Sequence, residues 1–308
     1  ARAWFAAHAS PTPTASPSGA PSAGSASAQP VPDVASEIRE AVALARKGAP
    51  IPPSIDPEAL ETDSWQVEYG KCYAGYGTTA IPSCELGDPD ADRTLAVVGD
   101  SHAGMWLPAF DALGKQRHLK VVPVVKLGCA AYAVQQFSRK VSNAECGAFR
   151  KATTQRLQRL RPDGVVVTAR GELFMRRVNG RTVEQQWHDA VRSEVQALSA
   201  VSPRVSVVGD VPAIGLQPRT CLSAQDADER SCMRSPASRE ADSNAVTKQA
   251  VTGTKARYVD VQGLVCAPRR CPLVVGDKVT YFDDSHLTRS WVEHVTPKLG
   301  EQLGALAR

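Results

Sequence analysis

From residue 93 onward, short apolar runs rich in β-branched residues alternate with longer amphipathic stretches. TLAVVGD at 94–100, VVPVVK at 121–126, GVVVTA at 164–169, VSVVGD at 205–210 and ARYVDV at 256–261 each predict a strand. Runs apolar on both faces are what a parallel strand buried between two layers of helices requires. Helical spacing occupies 103–117, 146–160, 183–200 and about 236–252, and again 287–307 at the end of the chain. The clearest case is VEQQWHDAVRSEVQALSA, with Val183, Trp187, Ala190, Val191 and Leu198 on one face. The alternation predicts an α/β fold of three layers, α/β/α, around a mostly parallel five-stranded sheet. No internal repeat is evident.

The first third of the chain reads differently. Residues 1–8, ARAWFAAH, are aromatic and apolar with one Arg, as at the tail of a membrane helix or a cut end. Residues 9–33 are Pro, Ser, Ala, Thr and Gly almost throughout, too poor in apolar surface to offset chain entropy. We therefore expect 1–33 to be a disordered linker that follows a membrane region. SEIREAVALARK at 36–47 predicts a helix capped by Ser36 and stopped by Gly48. Residues 34–92 are expected to be an extension packed on a catalytic domain at 93–308. The sequence begins without Met, so a signal peptide or membrane spans are expected upstream. Within it, no stretch approaches the roughly 18–20 apolar residues that cross a bilayer.

Composition narrows the picture modestly. Hydrophobic residues make up 43% and charged residues 22%, as in an ordinary globular protein. A net charge of +4 over 308 residues, with no dense basic run among aromatics, does not point to nucleic acid. The eight cysteines are more informative: Cys72, Cys84, Cys129, Cys146, Cys221, Cys232, Cys266 and Cys271. An even number falling into four neighbouring pairs reads as disulfides, although eight cysteines allow about 105 connectivities. Zinc sites need tight C-x-x-C knuckles or nearby His ligands, and the spacings offer neither. Disulfides persist in oxidising compartments, which places the domain outside the cytoplasm.

Ligands of an open parallel sheet bind beyond the carboxyl ends of its strands, so the residues following each strand carry the chemistry. The first strand ends in Gly99-Asp100-Ser101-His102. Gly permits a sharp turn that presents Ser101 at the start of a helix, where amides can meet a developing oxyanion. Taken alone, this is equally a turn with a helix-capping Ser. Near the other end stands Tyr281-Phe282-Asp283-Asp284-Ser285-His286. A nucleophilic Ser needs a base and a carboxylate to orient it, and Asp283 with His286 supplies both from one loop. Of the six histidines, His8 lies in the linker, His188 and His294 within helices, and His118 at the wrong sheet end. His102 adjoins Ser101, and adjacent side chains diverge. His286 is left as the base.

GDSH at 99–102 together with D-x-x-H at 283–286 resembles the SGNH/GDSL hydrolase superfamily. More narrowly, the chain is similar to SGNH domains fused to the C-terminus of acyltransferase-3 membrane proteins, which O-acylate cell-surface glycans and glycolipids. KLGC at 126–129, ARG at 169–171 and LVC…C ahead of YFDDSHL extend the resemblance over about residues 50–308. It implies a Ser101 nucleophile, a His286 base and an Asp283 carboxylate. It also implies oxyanion donors at the amides of Ser101 and Gly128. The implied activity is acyl transfer, acetyl or another short acyl, to a cell-surface carbohydrate or glycolipid. The alternative is a secreted esterase that passes the same acyl group to water. The implied partner is an acyltransferase-3 membrane domain in the same polypeptide, on the extracytoplasmic face.

One block departs from the pattern. The superfamily places a Gly-x-Asn after its third strand, whereas this chain has Thr168-Ala169-Arg170-Gly171. The Arg170 guanidinium offers five donors and a fixed charge. It could complete the oxyanion hole, bind an acidic group of the acceptor, or pair with Asp100 or Glu172. Asp100 is expected to shape the nucleophile turn, Asp210 to line the site or serve its own turn, and Trp106 to belong to the core. Asp283–Asp284 suggests a metal only superficially, since no further carboxylates converge in sequence. Neither a Walker-type loop nor a G-x-G-x-x-G occurs, so no cofactor is expected.

Overall fold

A computed structural model describes residues 31–170, 175–235 and 238–304; the expected linker lies almost wholly outside them. A seven-stranded sheet runs through the described residues. Its strands are β1 (Tyr73–Ala74), β2 (Leu86–Gly87), β3 (Thr94–Gly99), β4 (Lys120–Lys126), β5 (Gly164–Thr168), β6 (Val205–Val208) and β7 (Arg257–Val259). The spatial order is β1-β4-β3-β5-β6-β7, with β2 also on β4. All pairings are parallel except that of β2 with β4. The five strands read from sequence are present. At the centre Val97 lies opposite Pro123 on one side and Val166 on the other.

Helices follow as α1 (Val34–Lys47), α2 (Trp65–Tyr69), α3 (Ser101–Gly104), α4 (Leu107–Arg117), α5 (Asn143–Leu160), α6 (Val183–Ser199), α7 (Pro218–Leu222), α8 (Glu229–Cys232), α9 (Ser238–Val251) and α10 (Arg289–Leu303). Alternation along the strands builds a core on each face of the sheet. Leu95 and Val97 of β3 pack with Phe110 and Leu113 of α4 and Trp291 and Val295 of α10. Ala96 and Val98 pack with Phe149 of α5 and with Trp187, Val191 and Val195 of α6. Side chains as buried as Val191, Val195 and Leu198 contribute about 1.5–3 kcal/mol each before chain entropy is counted.

Two elements differ from expectation. Helix α1 begins at Val34 because Asp33, not Ser36, is the cap; its carboxylate accepts from the Ser36 N–H at 3.1 Å. That start also brings Val34 into the buried stripe with Ile38, Ala41 and Ala45. The helix expected over 103–117 is interrupted, with α3 ending at Gly104 and α4 beginning at Leu107. Pro108 has no N–H to continue the ladder and sits in the first turn of α4, where none is needed.

The extension adds to the sheet that the main strands form. Both two-residue strands, β1 and β2, lie on the outer edge of β4. Trp65 presses on α3, where a Cβ on Gly104 would come within 2.3 Å of the indole. The cysteines join as Cys72–Cys84, Cys129–Cys146, Cys221–Cys232 and Cys266–Cys271, each to its neighbour in sequence. Cys72–Cys84 ties the approaches to β1 and β2, and Cys129–Cys146 ties the loop after β4 to α5.

Below that loop, Glu194 of α6 lines a narrow cleft with Arg150, Gly99, Cys129 and Ala130. Burial pushes the Glu194 carboxyl up to about 7, against the opposing pull of Arg150. Because the folded value lies above the unfolded one, this stability is complete below the ordinary Glu range. It is lost as pH rises through about 7. Glu194→Gln is therefore expected to raise Tm by about 2–4 °C at alkaline pH and hardly at all near pH ~4.5, as read by thermal melts. An equal gain at both would contradict the assignment.

Candidate active site

The turn that carries Ser101 is set by a close approach between strands. Gly99 ends β3 against β5, where a Cβ would lie 2.0 Å from the Thr168 carbonyl oxygen and 2.6 Å from Ala103 Cβ. Only glycine lets the chain pass there and turn at once into α3. Asp100 caps α3, and its Oδ1 accepts from the His102 N–H at 2.9 Å. Its Oδ2 accepts from the Arg170 N–H, also at 2.9 Å. One buried carboxylate thus binds the turn carrying Ser101 to the exit of β5. Burial pushes the Asp100 carboxyl up, while His102 and the two amides draw it down; the balance is upward.

The second part of the site arrives from the far end of the chain. Tyr281 and Leu287 pair across the loop between them, and the Phe282 N–H donates to the His286 carbonyl at 2.8 Å. The buried Tyr281 hydroxyl donates to the Pro212 carbonyl at 2.7 Å. Thr288 then caps α10. In the closed loop, Asp283 Oδ1 accepts from the N–H groups of Ser285 and His286, at 2.8 and 2.7 Å. Asp283 Oδ2 lies 2.8 Å from His286 Nδ1, and His286 Nε2 lies 2.8 Å from Ser101 Oγ.

This chain of contacts fixes the tautomer. With Nδ1–H donating to the carboxylate, Nε2 presents a lone pair to the Ser101 hydroxyl. Burial pushes the Asp283 carboxyl up, but the bonds from the His286 ring and two backbone amides outweigh it. They hold Asp283 well below the usual carboxylate range, so it stays ionised. The His286 side chain is 19% exposed, enough to be reached from solvent.

The remaining candidates fall into place unevenly. Gly128 stands just beyond β4, in the left-handed region at φ 72°, at the exit of the strand beside β3. Arg170 makes no ion pair with Asp100 among the described residues; its backbone is the contact, and its buried Nε has no partner there. Pairing with Glu172 lies outside the described residues. Trp106 is 1% exposed and belongs to the core. His118, His188 and His294 contact Asp88, Asp189 and Glu37, away from Ser101. Asp260 accepts from the Gln262 N–H in a local turn.

One arrangement escaped the sequence reading. His102 turns away from Ser101 and meets Asp210, with Nδ1 2.5 Å from Oδ1. Asp210 is clamped in turn by Asn244 of α9, which accepts from its N–H at 2.7 Å and donates to its carbonyl at 2.8 Å. The available signal was the repeated VVGD that ends both β3 and β6. Asn244 gave none.

A Ser–His–Asp chain at the carboxyl edge of a parallel sheet, with the Asp and His three residues apart near the C-terminus, defines an SGNH-type α/β domain. The chain belongs to the family described as "SGNH domain (fused to AT3 domains)", whose model matches residues 71–301. Among solved structures it is similar to the periplasmic domain of a lipopolysaccharide acetyltransferase from Salmonella ser. Paratyphi A. That match has 15% identity and a TM-score of 0.57, covering 87% of this chain and 98% of the other. An acetylxylan esterase from Geobacillus stearothermophilus matches at 11% identity and TM-score 0.44, covering 71% of this chain and 96% of that one. No curated protein matches the sequence.

The Gly99 contact yields a direct test. Gly99→Ala is expected to cost about 1–3 kcal/mol in urea unfolding, because neither the Thr168 carbonyl nor Ala103 can yield cheaply. Gly147→Ala, in α5 with open space around it, should be neutral or stabilise by up to about 1 kcal/mol. Equal behaviour of the two variants would remove the argument.

Proposed function

We propose that this domain is an extracytoplasmic serine O-acyltransferase that carries a short acyl group on Ser101 to a hydroxyl of a cell-surface glycan or glycolipid. The observation that carries the reading is the unbroken run Asp283 Oδ2, His286, Ser101 Oγ, with both contacts at 2.8 Å. In the first half-reaction His286 Nε2 takes the Ser101 proton as Oγ bonds to the ester carbonyl carbon. The carbonyl electrons move onto oxygen, and Asp283 offsets the charge on the imidazolium. The same proton passes to the leaving oxygen as its bond to carbon breaks, which leaves acyl-Ser101. In the second half-reaction the acceptor hydroxyl gives its proton to His286 and attacks. Collapse then returns that proton to Ser101.

The oxyanion requires preorganised donors, and losing one typically costs about 10²–10³ in rate. The amides of Ser101 and Gly128 are assigned that role. Arg170 takes the place of the superfamily's Asn; its backbone is anchored to Asp100, and its buried Nε has no partner among the described residues. The acyl donor is the acyltransferase-3 membrane domain, expected in the same polypeptide and in keeping with the family's fusion to AT3 domains. Four disulfides agree with an oxidising, extracytoplasmic setting. The lipopolysaccharide acetyltransferase likeness favours a glycolipid or glycan acceptor.

A fluorophosphonate probe tests the triad. Labelling is expected at Ser101 alone, abolished in Ser101→Ala and His286→Ala, and slowed by about 10³–10⁴ in Asp283→Asn, where the imidazole loses its orienting carboxylate. Labelling that survives His286→Ala would sink the general-base role.

Transfer is separated from hydrolysis by supplying an acyl ester with and without a glycan acceptor. Transfer requires acyl-glycan product and faster ester consumption when the acceptor is present. Acceptor-independent turnover at full rate would make the domain an esterase.

A further inference from the structure

A second histidine–carboxylate pair lies against the first. The His102 and Asp210 side chains are 1% and 3% exposed and meet at 2.5 Å. Strand β5 separates β3 from β6, so this bond spans the exit of β5, from the residue after the nucleophile to the residues following β6. The His102 ring centroid lies 4.7 Å from that of His286, with the planes tilted by 56°. His102 Nε2 is buried and makes no hydrogen bond among the described residues. An apolar side chain would fill this space without the desolvation cost of a buried imidazole and carboxylate. Its presence at the back of the catalytic imidazole calls for an account other than packing.

We infer that His102 is a positioning residue for acyl transfer, held by Asp210 so that its ring keeps His286 Nε2 on Ser101 Oγ and shuts water out from behind the catalytic imidazole. This rests on the triad reading above. Asp210 is fixed by Asn244 and by the Val211 N–H, which donates to its Oδ1 at 2.9 Å. The wall is therefore anchored to α9 and to the exit of β6, whose next residues also hold the His286 loop through the Pro212 carbonyl and the Ile214 N–H. The charged groups around His102 are Asp210 beyond β6, Asp100 at the start of α3 and Arg170 beyond β5. His286 is faced by Asp283 from its own loop and by Ser101 and His102 from α3. Burial alone would depress the His102 imidazole, but the Asp210 carboxylate and its hydrogen bond raise it overall. Losing His102 opens this side of the catalytic ring to water, and hydration favours the charged form of an imidazole.

The test compares the parent protein with His102→Ala and His102→Asn by thermal melts, ester kinetics and the rate of fluorophosphonate labelling of Ser101 between about pH 5 and about pH 9. For His102→Ala we expect kcat to fall about 10–100-fold with KM within about twofold. The acid limb of the labelling profile should move up by about half to one pH unit. Asn keeps a donor for Asp210 but has no ring. His102→Asn should therefore recover the parental Tm while its acid limb stays displaced. A well-folded His102→Asn with the parental labelling rate and an unmoved acid limb overturns the proposal. Loss of activity that only tracks a fall in Tm, with the limb unmoved, does so as well. A parent protein that is not labelled at Ser101 would instead defeat the triad reading, and this proposal with it.

Discussion

Two backbone amides, one from α3 and one from the exit of β5, converge on the single buried carboxylate of Asp100. The site depends on this convergence. A turn as tight as Gly99-Asp100-Ser101 leaves amide groups that neither the sheet nor the helix can satisfy, and a buried amide without a partner costs about 1–3 kcal/mol. Asp100 answers one amide of this turn and that of Arg170 at once, and thereby ties Ser101 to the exit of β5. Gly99 makes the arrangement possible by letting β3 approach the Thr168 carbonyl. The position of Ser101 is thus decided in the sheet, and the C-terminal loop must come to it.

That loop is organised by a different rule. Asp283 is ionised because it accepts from two amides of its own turn and from the His286 ring. Orientation of the His286 ring is therefore local, and its placement is tertiary: Tyr281 to the Pro212 carbonyl, Thr288 to the start of α10, and Ile214 to the Asp284 carbonyl at 2.8 Å. Ser101 and His286 lie 185 residues apart in sequence. The sheet fixes one, a self-contained loop fixes the other, and the two meet over the carboxyl edge.

Much of this is legible in the sequence, for identifiable reasons. Four of the five main strands are buried on both faces and, like β7, are bounded by Gly, Asp or Pro, so periodicity and length report them. The disulfide partners are neighbours in sequence, and Asp283 and His286 share one loop. What stays hidden is tertiary. β1 and β2 are two residues long and carry no alternation to detect. The break at Met105-Trp106 follows from Pro108, whose missing N–H interrupts an otherwise helical run. His102 could be set aside as a partner for Ser101 but not assigned to Asp210, because nothing local connects residues 108 positions apart.

The two small strands of the extension have a consequence for how copies of the domain behave near one another. A long strand at the margin of a sheet exposes a row of amides and carbonyls on which a neighbouring chain can add a strand. On β4 that margin is occupied at one end by β2, at Lys120 and Val121, and at the other by β1, at Val125 and Lys126. Between them stands Pro123, which has no N–H to offer. At the opposite margin β7 has only three residues. Among the described residues, neither border offers a long template on which a second copy could add a strand.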